Sequence, residues 1–507
     1  MGNGITYAAL NTLSLQLATY LQTLGLQKGA RVAIMMPNVL QYPVALFAIL
    51  RAGYIVVNTN PLYTPIEVTH QLNDAGAEAL IVLANFAHTI EDALTQIPTL
   101  KHIIITNIGD LFPTMKRIVV NTVVKYCKKM VPHYHLPTAI PLRTALKQGQ
   151  SHNLRPVTLT NTDIAFLQYT GGTTGISKGA MLSHGNLIAN IQQAFSWVAP
   201  LGITEKDIII TALPLYHIFS LTANCLMFFM VGAKNILITN PRDIGHFIKE
   251  IKHTHFTAIT GVNTLFNALM HHPKFNTIDF GSLKLSLAGG MALQKNTAMQ
   301  WQEKTKTRVL QAYGLTETSP AVTINPMYLQ EYNGSIGLPL PSTDISIRDS
   351  NSKEVPIGES GELCIKGPQV MAGYWHSPEE TREAFWDDGF FRTGDIAMID
   401  EDGYCYLVDR KKDLIIISGF NVYPTEVEQV ISMLPGVLEV GVVGVEHEET
   451  GELVKACIVK KDPSLTEKQV IAHAKKHLTA YKIPKIIEFY DTLPKTNVGK
   501  ILRRALK

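Results

Sequence analysis

Twelve consecutive residues, Tyr169-Thr170-Gly171-Gly172-Thr173-Thr174-Gly175-Ile176-Ser177-Lys178-Gly179-Ala180, hold four glycines, four hydroxyl side chains and one lysine. Glycines let backbone N–H groups turn toward a bound anion with no Cβ in the way, hydroxyls add donors, and the lysine adds charge. That is the chemistry of a polyphosphate cradle. A solvated glycine-rich turn is the competing reading, and it suits a lone Gly-Gly better than this density of donors. The segment is not a P-loop: Gly179 follows Lys178, and Ala180-Met181-Leu182 reads as a short strand where that motif opens a helix. P-loop kinase and GTPase chemistry is disfavoured on that ground.

Five further blocks follow in order: Leu213-Pro214-Leu215-Tyr216-His217, Tyr313-Gly314-Leu315-Thr316-Glu317-Thr318, Arg392-Thr393-Gly394-Asp395, Asp409-Arg410-Lys411-Lys412 and Pro494-Lys495-Thr496-Asn497-Val498-Gly499-Lys500. Together with the loop they resemble the signature of the acyl-adenylate-forming (AMP-binding) enzymes, most of all the bacterial long-chain-fatty-acid–CoA ligases. The resemblance covers nearly the whole chain. It implies a ligase reaction in two halves, with ATP and coenzyme A as co-substrates and Mg²⁺ as cofactor. A fatty carboxylate attacks the α-phosphorus of ATP to give acyl-AMP and pyrophosphate, and the thiol of coenzyme A then displaces AMP.

The first half brings an anion to a polyanion, so the site must supply positive charge where charge accumulates. The resemblance assigns the phosphates to Tyr169, Thr170, Gly171, Gly172, Thr173, Thr174, Gly175 and Lys178, and the α-phosphate to Thr316. It has Tyr313 stack on adenine beside Gly314, with Gly289 and Gly290 letting the backbone approach the base. Asp395 and Arg410 are expected on the ribose. One carboxylate plus phosphate oxygens is the usual way Mg²⁺ is held, which makes Glu317 the metal candidate. From turn propensity alone, an exposed Thr316-Glu317 pair reads as well. Lys500, by residue type an ordinary terminal surface lysine, is implied to stabilise the adenylation transition state. Lys412 is implied to be the pivot that swings Lys500 out and brings Ser418-Gly419-Phe420 to the coenzyme A path. His217 is expected to orient or gate at the acyl end, and a core histidine is an equal reading.

The acyl substrate can be argued without the resemblance. An activator of amino acids needs a buried carboxylate to pair the substrate ammonium, because an unpaired buried charge is very costly. From Ile208 to Arg242 there is no Asp or Glu, and Leu221 to Val231 is apolar. Gly261, Gly289 and Gly290 are expected to leave room for a tail. An aryl-CoA ligase, a ligase that stops at the acyl-adenylate, and a non-catalytic acyl or nucleotide binder are the alternatives. The last is expected to lack Lys178, Glu317 or Lys500, and all three are present.

The elements that must position these residues can be read from the apolar pattern. From Asp163 onward strands and helices alternate: strands at 236–239, 256–260, 283–288 and 309–312, helices at 244–251, 263–270 and 293–304. An earlier alternation runs 32–36, 43–51, 55–58 and 65–75, the last opened by a capping box, Thr64-x-x-Glu67, with Pro65 at its first position. The fold expected is α/β, with two packed, mostly parallel sheet subdomains covered on both faces. Ligands bind such sheets beyond the carboxyl ends of their strands, where Gly261, Gly289-Gly290 and Tyr313-Gly314 fall. A smaller β unit is expected over 345–367. After Val408 the pattern turns to short strands and helices, with capping boxes at Thr425-x-x-Glu428 and Thr466-x-x-Gln469. The division expected is an N-terminal adenylation domain, 1–409, and a small mobile α+β domain, 410–507.

The bulk properties limit the partners. With 507 residues, 46% hydrophobic and 17% charged, the chain is expected to form more than one packed core. A net charge of +3 does not call for nucleic acid. Five scattered cysteines show neither a disulfide framework nor a zinc spacing, which points to a reducing, cytoplasmic compartment. Met1-Gly2-Asn3-Gly4 opens no secretory signal. By the resemblance, a leading segment ordinarily precedes Thr6-Tyr7, so a strand or two of the first subdomain is expected to be missing. Leu111 to Thr162 carries eight Lys and Arg and no acidic residue. Its first part interleaves charge with apolar side chains, which suits peripheral docking on an anionic membrane. It equally suits a helix packed on its own domain with a solvated basic face. A homodimer is a further partner reading.

Overall fold

The structure is a computed structural model and describes residues 2–170, 177–410, 412–418, 420–496 and 499–507. Gly171, Gly172, Thr173, Thr174, Gly175 and Gly419 of the expected site lie outside the described residues.

Two seven-stranded sheets carry the first two-thirds of the chain. The first runs, in spatial order, Ile140–Pro141, His102–Thr106, Ala79–Leu83, Arg31–Met35, Ile55–Asn58, Ile164–Tyr169 and Gly179–Ser183, parallel except at the last pair. The second runs Leu338–Pro339, Ala321–Ile324, Val309–Gly314, Leu285–Gly289, Ala258–Gly261, Ile208–Thr211 and Lys234–Leu237, antiparallel only at the first two pairs. Because side chains alternate along a strand, Val32 and Ile34 enter one apolar core while Ala33 and Met35 enter another, and all four are fully buried. A sheet buried on both faces is what continuous apolar strands require. The expected α/β class with two parallel-rich sheets is the observed one. Strand ends differ by a residue or two, as at Lys234–Leu237.

The apolar run Leu221 to Gly232 joins the two halves. Leu221 and Cys225 pack into a core of the first sheet, and Met227 and Phe228 into the core of the second. Asn38 adds a polar stitch: its Nδ2 donates to the carbonyls of Thr211 and Leu213, and its Oδ1 accepts from Leu215 N. Among the described residues no helix is long and apolar enough to cross a membrane.

A four-stranded antiparallel sheet follows, Asp344–Arg348, Gly361–Lys366, Phe391–Ile399 and Cys405–Arg410. The last sheet comprises Phe420–Val422, Ile415–Ile417, Gly451–Lys460 and Val437–His447, with Ile486–Tyr490 parallel to Gly451–Lys460. The helices Pro424–Ser432 and Glu467–His477 cover it with a separate core. The capping boxes at Thr64 and Thr466 form. The one expected at Thr425 does not, because the helix begins one residue earlier, at Pro424, with Tyr423 as its cap. Proline has no N–H to satisfy and suits the first helical position. Thr425 N donates instead to Asp409 Oδ2, and the Glu428 carboxylate is turned inward, accepting from Val442 N and Arg503.

Candidate active site

Three neighbouring strands of the second sheet end at Gly261, Gly289 and Gly314, so the blocks that follow them open on one crevice. The expected open space over these glycines is filled. A Cβ on Gly261 would stand 2.9 Å from the Phe266 ring, and one on Gly289 would stand 2.9 Å from Phe219. These two glycines admit aromatic side chains from the chain itself. Gly290, at φ +78°, faces Lys500: a Cβ there would lie 3.2 Å from Lys500 Cε. Gly314 has its own packing reason, since a Cβ would overlap the Pro320 carbonyl.

Lys500 reaches this position through a tight turn near the C-terminus. Its N–H donates to Thr496 Oγ1 at 3.1 Å and its carbonyl accepts from Thr496 N at 2.6 Å. The preceding carbonyl, of Gly499, accepts from Thr264 Oγ1 at 2.9 Å, which fastens the turn to the Asn263–His271 helix. Burial and the nearby Arg410 guanidinium lower the Lys500 ammonium to about 8, while Asp395 and Glu317 act in the opposite sense. One small electrostatic neighbourhood therefore holds Lys500, Arg410, Asp395 and Glu317.

Asp395 lies on the strand Phe391–Ile399, directly across from Arg410. Its Oδ2 accepts from Tyr313 Oη at 2.6 Å, and its Oδ1 is 3.2 Å from Arg410 Nε. Burial raises its carboxyl and Arg410 offsets part of that. Tyr313 is buried in the core that joins the second sheet to the four-stranded one. Glu317 follows on the turn Thr316–Thr318 with Thr316 half-buried beside it. Burial raises the Glu317 carboxyl, and Tyr374 Oη donates to its Oε1 at 2.8 Å. Tyr374 also presents its ring to Lys178, whose Nζ lies 5.4 Å from the ring centroid and 3.5 Å from Glu380 Oε1. Tyr374 thus links the lysine of the glycine-rich loop to the carboxylate of the second block.

The remaining expected residues are placed less centrally. Tyr169 is buried, with its hydroxyl donating to Asp74 Oδ2, and Thr170 N donates to the Lys178 carbonyl across the base of the loop. His217 caps a short helix, its Nδ1 accepting from Phe219 N at 3.4 Å. Burial and Lys500 push His217 down to about 3, so it stands neutral and is no proton donor in this arrangement. Lys412 is exposed, and the partial desolvation of its ammonium and the nearby Arg410 guanidinium lower its pKa. Residue type alone does not single out two neighbours. Tyr374 sits in an ordinary aromatic stretch, and Arg503 is one of three basic residues after Lys500. Arg503 meets Asp409 Oδ1 at 3.2 Å, Asp413 Oδ2 at 3.1 Å and Glu428 Oε2 at 2.9 Å. Only its three-residue spacing from Lys500 could have drawn attention to it.

Among the described residues no group of three or more His, Cys, Asp or Glu could hold a metal ion. The donor set suits a hard cation that takes most of its ligands from phosphate and water, as Mg²⁺ does with one carboxylate.

Residues 1–375 match the model of the AMP-binding enzyme family, and residues 426–500 match that of the AMP-binding enzyme C-terminal domain. The whole chain is 54% identical to 90% of a long-chain-fatty-acid–CoA ligase of Yersinia pestis. It is similar to the crystal structure of ATP-bound MatB from Rhodopseudomonas palustris at TM-score 0.83 and 31% identity, covering all of this chain and 93% of that one. An anthranilate CoA ligase in complex with anthranoyl-AMP superposes at TM-score 0.87 and 26% identity, over 99% of this chain and 92% of that one.

Proposed function

The chain belongs to the AMP-binding enzyme family and is an AMP-forming acid–thiol ligase, and on that premise we propose that its acid is a long-chain fatty acid. The observation that carries the site reading is Lys500 set against Gly290 beyond the strand ends of the second sheet, near enough to Glu317, Asp395 and Arg410 for their charges to act on its ammonium. A mobile cation brought beside two carboxylates and a guanidinium suits a reaction in which an anion attacks a phosphate. Preorganised charge of that kind is commonly the largest single contribution to such catalysis.

In the first half-reaction a carboxylate oxygen of the fatty acid bonds to the α-phosphorus and pyrophosphate leaves. Lys178 and the loop from Thr170 neutralise the phosphates, Thr316 donates at the α-phosphate, and Lys500 balances charge on the reacting oxygens. Asp395 is suited to the ribose hydroxyls once Arg410 gives up its oxygen and turns to the sugar. Tyr313, with Gly289, Gly290 and Gly314, borders the base. Glu317 would hold Mg²⁺, which supplies charge neutralisation at the phosphates when bound. Tyr374 keeps the Glu317 carboxylate oriented.

In the second half the coenzyme A sulfur bonds to the acyl carbon and AMP leaves. Lys500 occupies the space over Gly290, so the C-terminal domain, 410–507, turns about Lys412 and brings Ser418, Gly419 and Phe420 to the thiol path. His217, neutral and tied to Phe219, serves as a gate at the acyl end. A long tail is supported by the absence of any carboxylate between Ile208 and Arg242 and by the name of the relatives. The proposal extends to a cytoplasmic enzyme, to a homodimer and to peripheral contact with membrane.

The test is pyrophosphate release with saturated acids of increasing length, with and without coenzyme A. Each added methylene within an apolar slot is expected to lower KM by roughly fourfold, from about 0.8 kcal/mol per buried CH₂. Preference for benzoate-type acids would overturn the fatty-acid reading. Pyrophosphate release with no thioester product would leave an acyl-AMP ligase.

A further inference from the structure

The helix Asn263–His271 has a different duty on each of two faces. Phe266 and Leu269 enter the core of the second sheet, Phe266 closing against Gly261. Thr264 and Asn267, three residues apart and so neighbours on one side of the helix, both turn to the C-terminal domain. Thr264 Oγ1 donates to the Gly499 carbonyl at 2.9 Å, and Asn267 Nδ2 donates to the Leu438 carbonyl at 3.1 Å. Both acceptors stand outside the ladder of the last sheet. Leu438 is the extra residue of a bulge between Val437, paired with Lys460, and Glu439, paired with Val459. A bulged residue drops out of the ladder and is free to be aimed elsewhere. Gly499, at φ +86°, sits in the turn before Lys500, and a Cβ there would stand 3.3 Å from both Thr264 Oγ1 and Val262 Cγ2.

Around these two bonds the seam is loosely filled. Beside Asn267 it encloses a cavity of about 190 Å³ bordered by His271, Gln294 and Gln300 on one side and by Ser432 and Lys461 on the other. A permanent core leaves few voids larger than a water molecule, whereas contacts between domains that move are more polar. We propose that Thr264 and Asn267 are positioning residues for adenylation alone: they form the seat that holds the C-terminal domain with Lys500 over Gly290, and both bonds open when the domain turns for thioester formation. The leverage follows from the chain. Thr264 fixes the carbonyl of the residue directly before Lys500. Asn267 holds the start of the strand Val437–His447 in the same domain, which removes the freedom to rock about the first bond. Two attachments on one helix set an orientation that a single one does not. The proposal rests on the reading of Lys500 as the lysine of adenylation, and the seat acts through that residue.

The experiment measures the two half-reactions separately in the full chain: pyrophosphate release from ATP and fatty acid, and thioester formation from supplied acyl-AMP and coenzyme A. The variants are Thr264→Val, which keeps the shape and loses the donor, Thr264→Ser, which keeps the hydroxyl, and the pair Thr264→Val with Asn267→Ala. Lys500→Ala is made alone and together with the pair. Pyrophosphate release is expected to slow roughly two- to tenfold in Thr264→Val, the worth of one net hydrogen bond, and further in the pair. Thioester formation is expected unchanged in both, and Thr264→Ser is expected to release pyrophosphate at nearly the wild-type rate. In the Lys500→Ala background the pair is expected to add no further loss. Equal slowing of both half-reactions, or a further loss from the pair without Lys500, would make the two residues structural and overturn the proposal. Unchanged pyrophosphate release in the pair, with Lys500→Ala impaired, overturns the seat and leaves the lysine standing. Full adenylation by Lys500→Ala overturns the lysine reading, and the seat with it.

Discussion

In the proposed reaction Lys500 concentrates the charge balance of adenylation on one nitrogen. Its depressed value, about 8, arises from burial and from Arg410, so the nucleotide-free enzyme loses the ammonium as pH rises through that value. Since kcat/KM reports ionisations of the free enzyme, kcat/KM for ATP in pyrophosphate release is expected to fall above about pH 8. Lys500→Arg should lose that alkaline limb, because a guanidinium stays charged throughout. Lys500→Ala should slow adenylate formation by roughly 10²–10³, about 2.7–4 kcal/mol, yet leave thioester formation from supplied acyl-AMP nearly intact. A flat pH profile in wild type, or equal losses in both half-reactions, would make the lysine structural. Nothing in residue type announces this role, and only the resemblance of the surrounding motif does. Glu317 is marked by its place after a strand end, whereas its partner Tyr374 is not. Their contact spans 57 positions and depends on how the 371–374 segment folds back, Met371 N donating to the Glu317 carbonyl.

Between Arg410, in the four-stranded sheet, and Ile415, in the last one, the chain has only a short crossing, and Arg503 ties both sides of it. Asp409 lies before the crossing, Asp413, Thr425 and Glu428 after it, and all four accept from the one guanidinium. Arg503 lies three residues beyond Lys500, so under the proposed domain turn this fork would couple the position of the lysine to the crossing at 410–415. Arg503→Lys keeps the charge but not the planar fork. It should slow adenylation more than thioester formation and lower thermal stability, since one ammonium cannot make the several directed contacts of the guanidinium fork. Lys412→Pro should do the reverse to the half-reactions. Proline fixes φ near −65° and restricts the residue before it, so adenylation survives while the turn to the thioester state fails. Normal overall turnover in that variant would end the pivot assignment. The same elements show where local signals stop being sufficient. Thr64-x-x-Glu67 and Thr466-x-x-Gln469 cap their helices because their partners face water and are free to fold back. Thr425-x-x-Glu428 has the same pattern, but its glutamate is claimed by Arg503 from 75 residues away.

At the scale of the molecule, both large sheets are legible because a strand buried on two faces must be continuously apolar, and the intervening helices keep a different period. How the sheets meet is not legible, since it rests on polar contacts between distant segments. Asn38 is the clearest of these. It is buried, and its side chain satisfies two carbonyls and one N–H of the segment 211–215. Tyr42 extends the seam, its hydroxyl donating to the Leu215 carbonyl and to Asn58 Oδ1. Asn38→Leu keeps the volume but leaves Leu215 N without its partner away from water, while the Thr211 carbonyl keeps Ile238 N and the Leu213 carbonyl keeps Ser220 Oγ. Leaving a buried polar group unpaired costs about 1–3 kcal/mol, so a loss in that range is expected. Asn73→Ala is the control: Asn73 Nδ2 also donates to a distant carbonyl, of Gln96, but at an exposed site where water can replace it. That change should cost under about 1 kcal/mol. Urea unfolding followed by tryptophan fluorescence, with Trp301 buried in the core of the second sheet, reads the difference. The Asn38 variant should lower the midpoint clearly more than the control does. Equal shifts would mean that the apolar bridge through Leu221, Cys225, Met227 and Phe228 holds the halves together by itself, with the polar seam contributing only register.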